Sequence, residues 1–281
     1  MMFWKSTYNE FIKIAAKPRS YIGVGVITLI VGIILFAMRI DGASFISFLT
    51  RPFEQSLSFE GNILNGNLIA FIILQMLIIH VPLLIALVTG DLISGEASMG
   101  TIRLLLTKPI SRTSILFSKY LAGCAYTFVM LVWLMFMALI VGKLLFGTGD
   151  LMVLNGDGLT VFHEQDVAWR FACGFSLAFL SLIMIATLSL TFSCFSDNSI
   201  GPIVSTMAVI ILFTIISNLD LPVLQKIHPY LFTNHIVAWR NFFEDPIPTA
   251  KILRSSGILI LHILGLLAIA VYKFNKKDIL S

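Results

Sequence analysis

The chain has 281 residues, of which 58% are hydrophobic and only 12% charged, and its mean hydropathy is +0.95. A soluble domain of this length needs a surface much richer in charge, so the composition argues against one. The net charge of +4 is modest and does not suggest a nucleic-acid partner. Because the charges fall in short clusters between long apolar runs, the composition indicates that those runs lie in lipid.

Residues 1–19 are predicted to form an amphipathic helix that lies in the membrane surface. The residues with the spacing of one helical face are Trp4, Tyr8, Phe11, Ile12 and Ala15, and those on the other side are Lys5, Asn9, Glu10, Lys13 and Lys17. Pro18 is expected to end the helix. Aromatic residues opposite lysines are typical of an interfacial helix. The alternative is an ordinary amphipathic helix packed on protein.

Six apolar segments follow and predict six transmembrane helices. They cover residues 21–38, 68–89, 114–141, 170–194, 200–217 and 256–272. Eighteen residues at about 1.5 Å each reach about 27 Å, which is just enough to cross a hydrocarbon core. We therefore expect an all-α membrane protein in which residues 1–281 form a single transmembrane domain.

The basic residues predict that both termini are cytoplasmic. In that orientation the cytoplasmic side carries eleven basic and five acidic residues, and the other side carries eight basic and ten acidic residues. The proline-rich segment 218–254 would lie outside. We expect it to be helical and to lie at the outer interface or to re-enter the membrane edge.

The chain contains no recognisable catalytic or nucleotide-binding motif, so we expect that it is not an enzyme and holds no cofactor or metal. The phosphate-binding pattern GxxxxGK followed by Ser or Thr does not occur. His163-Glu164 fails as HExxH because the second histidine is missing. The three cysteines are far apart and offer no metal-ligand spacing.

A few polar side chains fall inside the predicted spans. They are Gln75 and His80 in the second span and His262 in the sixth. Such groups tend to face a bundle interior or a cavity, so these three are candidates for a substrate path. The alternative is that each histidine is neutral and bonded to a neighbouring helix.

The segment between the second and third spans, residues 90–113, is the most informative part of the sequence. It combines acidic residues, a glycine and four aliphatic residues within five positions, and a proline closes that run. Ser111 is a good N-cap for the third span. A connection this apolar needs a partner or the membrane surface to cover it.

Residues 90–123 resemble the signature of the type-2 (exporter-type) permeases of ATP-binding-cassette (ABC) transporters. The matching features are Glu96, Gly100-Thr101, Leu104 to Leu106, Pro109, Ser111-Arg112 and Lys119. The general layout is also similar, with an amphipathic helix, six spans and an extended region before the last span.

The resemblance implies a permease that exports a substrate as a dimer, paired with itself or with a homologous permease. Separate ATPase subunits would hold the ATP and Mg and would bind a coupling helix between spans 2 and 3. The residues implied in that contact are Glu96, Gly100, Thr101, Arg103, Pro109, Arg112 and Asp197. An alternative is a non-transporting membrane component of an ATPase-driven assembly, maturation or motility machine.

The charge distribution makes a prediction about orientation in the cell (plasma or inner) membrane. In a cysteine-free background, single cysteines at positions 55 and 160 should react with an impermeant maleimide added to intact cells. A cysteine at position 98 should react only after the membrane is opened. The reverse pattern would contradict the assignment of both termini to the cytoplasm.

Overall fold

The computed structural model describes residues 2–51, 63–102, 110–155, 158–219 and 221–277. The longer helices are α1 (Met2–Ala16), α2 (Pro18–Thr50), α3 (Gly66–Leu77), α4 (Val81–Thr89), α5 (Asp91–Ser98), α6 (Arg112–Met135), α7 (Gly142–Phe146), α8 (Glu164–Phe195), α9 (Ile200–Asn218) and α12 (Thr249–Lys276). The π-helical turn Phe136–Val141 joins α6 to α7. Between α9 and α12 lie α10 (Pro222–Gln225), α11 (Thr233–Ile236) and the 3-10 turns His228–Tyr230 and Ala238–Phe243. The strands are β1 (Leu151–Asn155) and β2 (Gly158–Phe162).

Six helical segments of the described chain are long and apolar enough to cross a membrane. They are Pro18–Phe48, Val81–Ser98, Arg112–Phe146, Glu164–Phe195, Ile200–Asn218 and Thr249–Lys276. Each overlaps one of the six predicted spans. The prediction of an all-α, multi-pass membrane protein is confirmed.

Several predicted boundaries are wrong. The first span was expected to end at residue 38, but α2 continues to Thr50 because Arg39 and Asp41 end the apolar run without breaking a helix. The second span was expected to be one helix, but a turn at residues 78–80 separates α3 from α4. Pro82 near the start of α4 has no amide hydrogen and cannot extend the hydrogen-bond ladder of α3.

Helix α8 is the centre of the bundle. About 67% of its apolar window is buried, against 11% for α9 at the periphery. It packs against α4, α6, α9 and α12. Ser181, Ser189 and Ser193 on α8 are fully buried, and such small side chains allow neighbouring helices to approach closely.

One end of the bundle, which we call the hairpin end, consists of β1, β2 and residues 222–243. The strands pair antiparallel, with Leu151 opposite Phe162. This hairpin was not predicted from the sequence. It is attached to the start of α3, where Asn65 caps the helix and donates through Nδ2 to the carbonyl of Asp150 at 2.7 Å.

The opposite end, which we call the charged end, consists of α1, α5, the start of α6, residues 195–199 and the end of α12. Arg112 at the start of α6 donates to the carbonyls of Asn275 and Lys277 at 3.0 and 2.9 Å. The start of α6 therefore contacts the end of α12 at this end of the bundle.

Candidate functional site at the charged end

A closed ring of four charged side chains joins α1, α5 and α6. The ammonium group of Lys119 lies 2.8 Å from a carboxylate oxygen of Glu10 and 2.8 Å from one of Glu96. Lys13 bridges the same two carboxylates at 2.6 and 2.8 Å. We call these four residues the ionic ring. It fixes the position of each helix relative to the other two.

The ring is neutral as a whole and is buried on its inner side. The side chain of Lys119 is 1% exposed, whereas that of Lys13 is 43% exposed. Burial lowers the pKa of Lys13, but its hydrogen bonds and attraction to Glu10 and Glu96 outweigh this effect, so the pKa lies above its ordinary value. A buried charge without a partner is far more costly than a buried pair, so the ring members depend on one another.

A second ion cluster holds the beginning of α5. Asp91 lies 2.8 Å from the ammonium of Lys17 and 2.7 Å from the guanidinium of Arg19, both near the junction of α1 and α2. Gly95 lies against the Asp91 carboxylate, and a Cβ at that position would collide with it. Helix α5 is thus tied to the N-terminal segment near both of its ends.

Helix α5 also receives a cap from the central helix. The hydroxyl oxygen of Ser193 on α8 accepts from the backbone N–H groups of Ile93 and Ser94 at 3.1 and 2.9 Å. Ile93 is in the first turn of α5, where backbone N–H groups lack an acceptor within the helix. Gly90 keeps a right-handed φ of −67°, so α5 follows α4 directly. The first part of the predicted loop 90–113 is therefore a packed helix.

Helix α1 has three distinct faces. Thr7, Glu10 and Ile14 are buried against the bundle. Trp4 and Tyr8 point outward and are 71% and 66% exposed. The remaining face is polar and exposed. Outward-facing aromatic rings beside a polar face are what a helix in the membrane interface presents.

The residues with an expected role in coupling occupy different positions at the charged end. Glu96 is buried in the ionic ring, whereas Gly100 and Thr101 are exposed just beyond α5. Arg112 is bonded to the end of α12, as described above. Arg103 and Pro109 lie outside the described residues.

The predicted smaller contact at Asp197 lies at the same end. Its side chain is 80% exposed and is 2.6 Å from the ammonium of Lys277. Lys277 also donates to the carbonyl of Ser196 at 3.0 Å. The structure therefore places Asp197 beside the end of α12 and on the same end of the bundle as Gly100.

The three candidates for a substrate path do not form a cluster in the described chain. Gln75 and His80 are exposed, and His262 is half-buried beside Phe232. Each Nδ1 atom bonds to the carbonyl four residues earlier, His80 to Met76 and His262 to Ile258. These bonds differ from the alternative interpretation, in which each histidine is bonded to a neighbouring helix.

The motif includes Lys119, but the sequence does not predict the ionic ring. Glu10 and Lys13 are on the face of α1 that the periodicity predicts to be polar. One signal was available, because a lysine a few residues inside an apolar helix requires a carboxylate partner. Glu10 is the acidic residue of an otherwise basic N-terminal helix.

These features define a multi-pass α-helical membrane protein in which ion pairs hold together the helices of the charged end. The chain belongs to the family described as "Protein of unknown function (DUF2705)", which matches residues 25–280. It is also similar to a protein of Bacillus subtilis (strain 168) described as "Uncharacterized protein YhcI". The two are 28% identical over 118 residues, which are 40% of this chain and 37% of the relative.

The ionic ring makes a prediction about stability. Lys119→Met should lower the free energy of unfolding by about 3–5 kcal/mol, because it leaves buried carboxylates without their main partner. The measurement is unfolding in mixed micelles titrated with dodecyl sulfate and followed by circular dichroism.

Lys5→Met is the matched control, since Lys5 is an exposed lysine of α1. It should change the stability by no more than about 0.5 kcal/mol. Adding Glu10→Gln and Glu96→Gln to Lys119→Met should restore much of the loss. Equal stability of the Lys119 and Lys5 variants would show that the ring does not hold these helices together.

Proposed function

We propose that the chain is the permease subunit of an ATP-driven ABC transporter, and that it exports a substrate. Two permeases, identical or homologous, would form the path, and separate ATPase subunits would bind ATP and Mg. The charged end would face the cytoplasm in the plasma or inner membrane. The sequence motif in residues 90–123 and the construction of the charged end support this proposal.

The observation that carries the proposal is the rigid attachment of α5. Two ion clusters and the Ser193 cap hold this helix, and the exposed residues Gly100 and Thr101 follow it directly. A partner that pushes on Gly100 and Thr101 would therefore move α4 and α5 together. Transmission of a movement between subunits needs such a packed element, because a flexible loop would absorb the displacement.

The structure suggests different roles for the motif residues. Gly100 and Thr101 would contact the ATPase directly. Glu96 would position them, since its carboxylate faces the ionic ring and Thr101 donates to its backbone carbonyl at 3.3 Å. Arg112 would hold the end of α12 against the start of α6, and Asp197 would give a smaller contact.

The arrangement of charge supports the proposed orientation. Lys5 is exposed on α1, and Lys13 and Lys17 remain partly exposed while they pair with carboxylates. Basic residues that flank membrane helices favour the cytoplasmic side. Outward-facing Trp4 and Tyr8 would then lie in the cytoplasmic leaflet at the level of the headgroups.

Two glycines provide a matched test of the proposed contact. Gly100 and Gly147 have positive φ angles of +70° and +74°, and open space surrounds the Cβ position of each. Gly100 lies at the charged end and Gly147 at the hairpin end. A tryptophan introduces backbone strain at both positions, and Gly147, with a ψ of −178°, is in a region that only glycine adopts readily. The control therefore carries its own strain, but only Gly100→Trp should block an ATPase.

The tagged chain would be purified from its native membrane in mild detergent and irradiated with 8-azido-ATP. The wild type and Gly147→Trp should recover a separate, nucleotide-labelled polypeptide whose ATP hydrolysis is inhibited by vanadate. Gly100→Trp should reduce its recovery at least about tenfold, because a bulky ring would prevent close packing. Full recovery with Gly100→Trp, or no labelled partner with the wild type, would contradict the proposal.

A further inference from the structure

A polar cavity of about 800 Å³ opens at the hairpin end. It lies between β2, the 3-10 turn Ala238–Phe243 and the first turns of α12. The charged side chains in its wall are Arg240, Lys251, Arg254, Glu244 and Asp245. A cavity with this lining is suited to a charged ligand.

Arg240 is the central feature of the cavity wall. Its Nε atom is buried and has no hydrogen-bond partner in the described chain. Its guanidinium forms no ion pair with any described residue, and burial lowers its pKa. A buried guanidinium nitrogen normally has an acceptor. Arg240 also lines the cavity and is only partly buried, so a ligand in the cavity could supply an acceptor to its guanidinium group.

The turn that carries Arg240 is held firmly in place. Arg170 on α8 donates to the carbonyl of Phe242 at 2.7 Å, and its guanidinium stacks on the ring of Phe162 at 4.2 Å. Trp239 is buried beside Phe243. Because these contacts fix the backbone, Arg240 is presented to the cavity by a rigid support.

Helix α12 adds further positive potential to the same wall. Lys251 pairs with Glu244 at 3.7 Å, whereas Arg254, one turn later, has no ion pair with a described residue. The first turn of α12 contains no acidic residue and no capping side chain. The positive end of its helix dipole is therefore not neutralised within the helix.

His235 contributes no charge to the cavity. Its Nδ1 and Nε2 atoms bond to the hydroxyl of Ser255 and the carbonyl of Pro229 at 2.9 and 3.1 Å. Burial lowers the pKa of His235 and outweighs the opposite effect of its hydrogen bond to Pro229, and the charges of His262 and Arg254 lower the pKa further. The free cations of the cavity are accordingly the two arginines, while Asp245 is the carboxylate without an ion pair in the described chain.

The position of Arg254 indicates its depth in the membrane. It precedes the apolar stretch 256–272 by two residues, and the neighbouring Leu253 is 72% exposed. This is the level of the lipid headgroups. Phosphate groups are the abundant anions at that level, and guanidinium groups bind them with paired hydrogen bonds.

We propose that this cavity binds the phosphate group of a lipid headgroup or a headgroup-like ester, with Arg240 and Arg254 as its contacts. The inference does not rest on the proposed transport function. The proposed phosphate site is formed by residues of this chain alone.

The test uses native mass spectrometry of the purified, delipidated full-length chain. Three ligands would be titrated: phosphatidylglycerol, a glucosyl diacylglycerol with the same acyl chains and no phosphate, and soluble glycerol phosphate. Phosphatidylglycerol should bind the wild type, and the glycolipid should bind at least about tenfold more weakly. Tight binding of glycerol phosphate would support the same phosphate site with a soluble source.

Arg240→Gln and Arg254→Gln should each weaken phosphatidylglycerol binding about tenfold or more, as expected when a charge-assisted hydrogen bond is lost. Arg39→Gln is the control, because Arg39 is an exposed arginine in the half of α2 nearer the hairpin end. Arg254 is itself exposed, so its substitution tests the site without disturbing the fold. Equal binding of the glycolipid, or wild-type binding by both arginine variants, would overturn the proposal.

Discussion

The burial of one ammonium group constrains the charged end more than any other interaction there. Lys119 lies on α6, where it is the only charged residue after Arg112, and its side chain is 1% exposed. Such a charge is tolerated only when carboxylates surround it. Glu10 and Glu96 meet this need from two different helices, so α1 and α5 cannot leave their positions without exposing or isolating a charge. This constraint holds α1, α5 and α6 together as one rigid unit.

That unit joins the N-terminal helix α1 to α5, the helix that follows α4. Helix α1 uses one face for the ionic ring and leaves its aromatic face outward, where Trp4 is 71% exposed. Helix α5 uses Asp91 and Glu96 to hold the same N-terminal segment. A force applied just beyond α5 would therefore act on α4 and on α1 together. A loop with no such attachment would transmit little of that force.

The sequence was sufficient to predict the spans, because lipid thickness sets the length of an apolar helix and few other structures satisfy the backbone in lipid. It was not sufficient for contacts between distant residues, such as Glu10 with Lys119, since periodicity carries no information about which helices are neighbours. The turn before α4 was not predicted, because the apolar run continues through it. Pro82 was the local signal for this turn. The hairpin was missed although Asn155 and Gly158 flank a two-residue connection, a common signal for a hairpin.

The two ends of the bundle use charge in opposite ways. At the charged end, Glu10, Asp91, Glu96 and Lys119 are buried and each has at least one oppositely charged neighbour within 2.8 Å. Residues of the fold itself pair with these charges, so the ion pairs hold the helices together. At the hairpin end, Arg240 and Arg254 line a cavity and have no carboxylate partner in the described chain, although Glu244 and Asp245 are in the same wall. Glu244 pairs instead with Lys251. Two arginines in one cavity wall, beside carboxylates that do not pair with them, are better explained by an external anion than by stability of the fold.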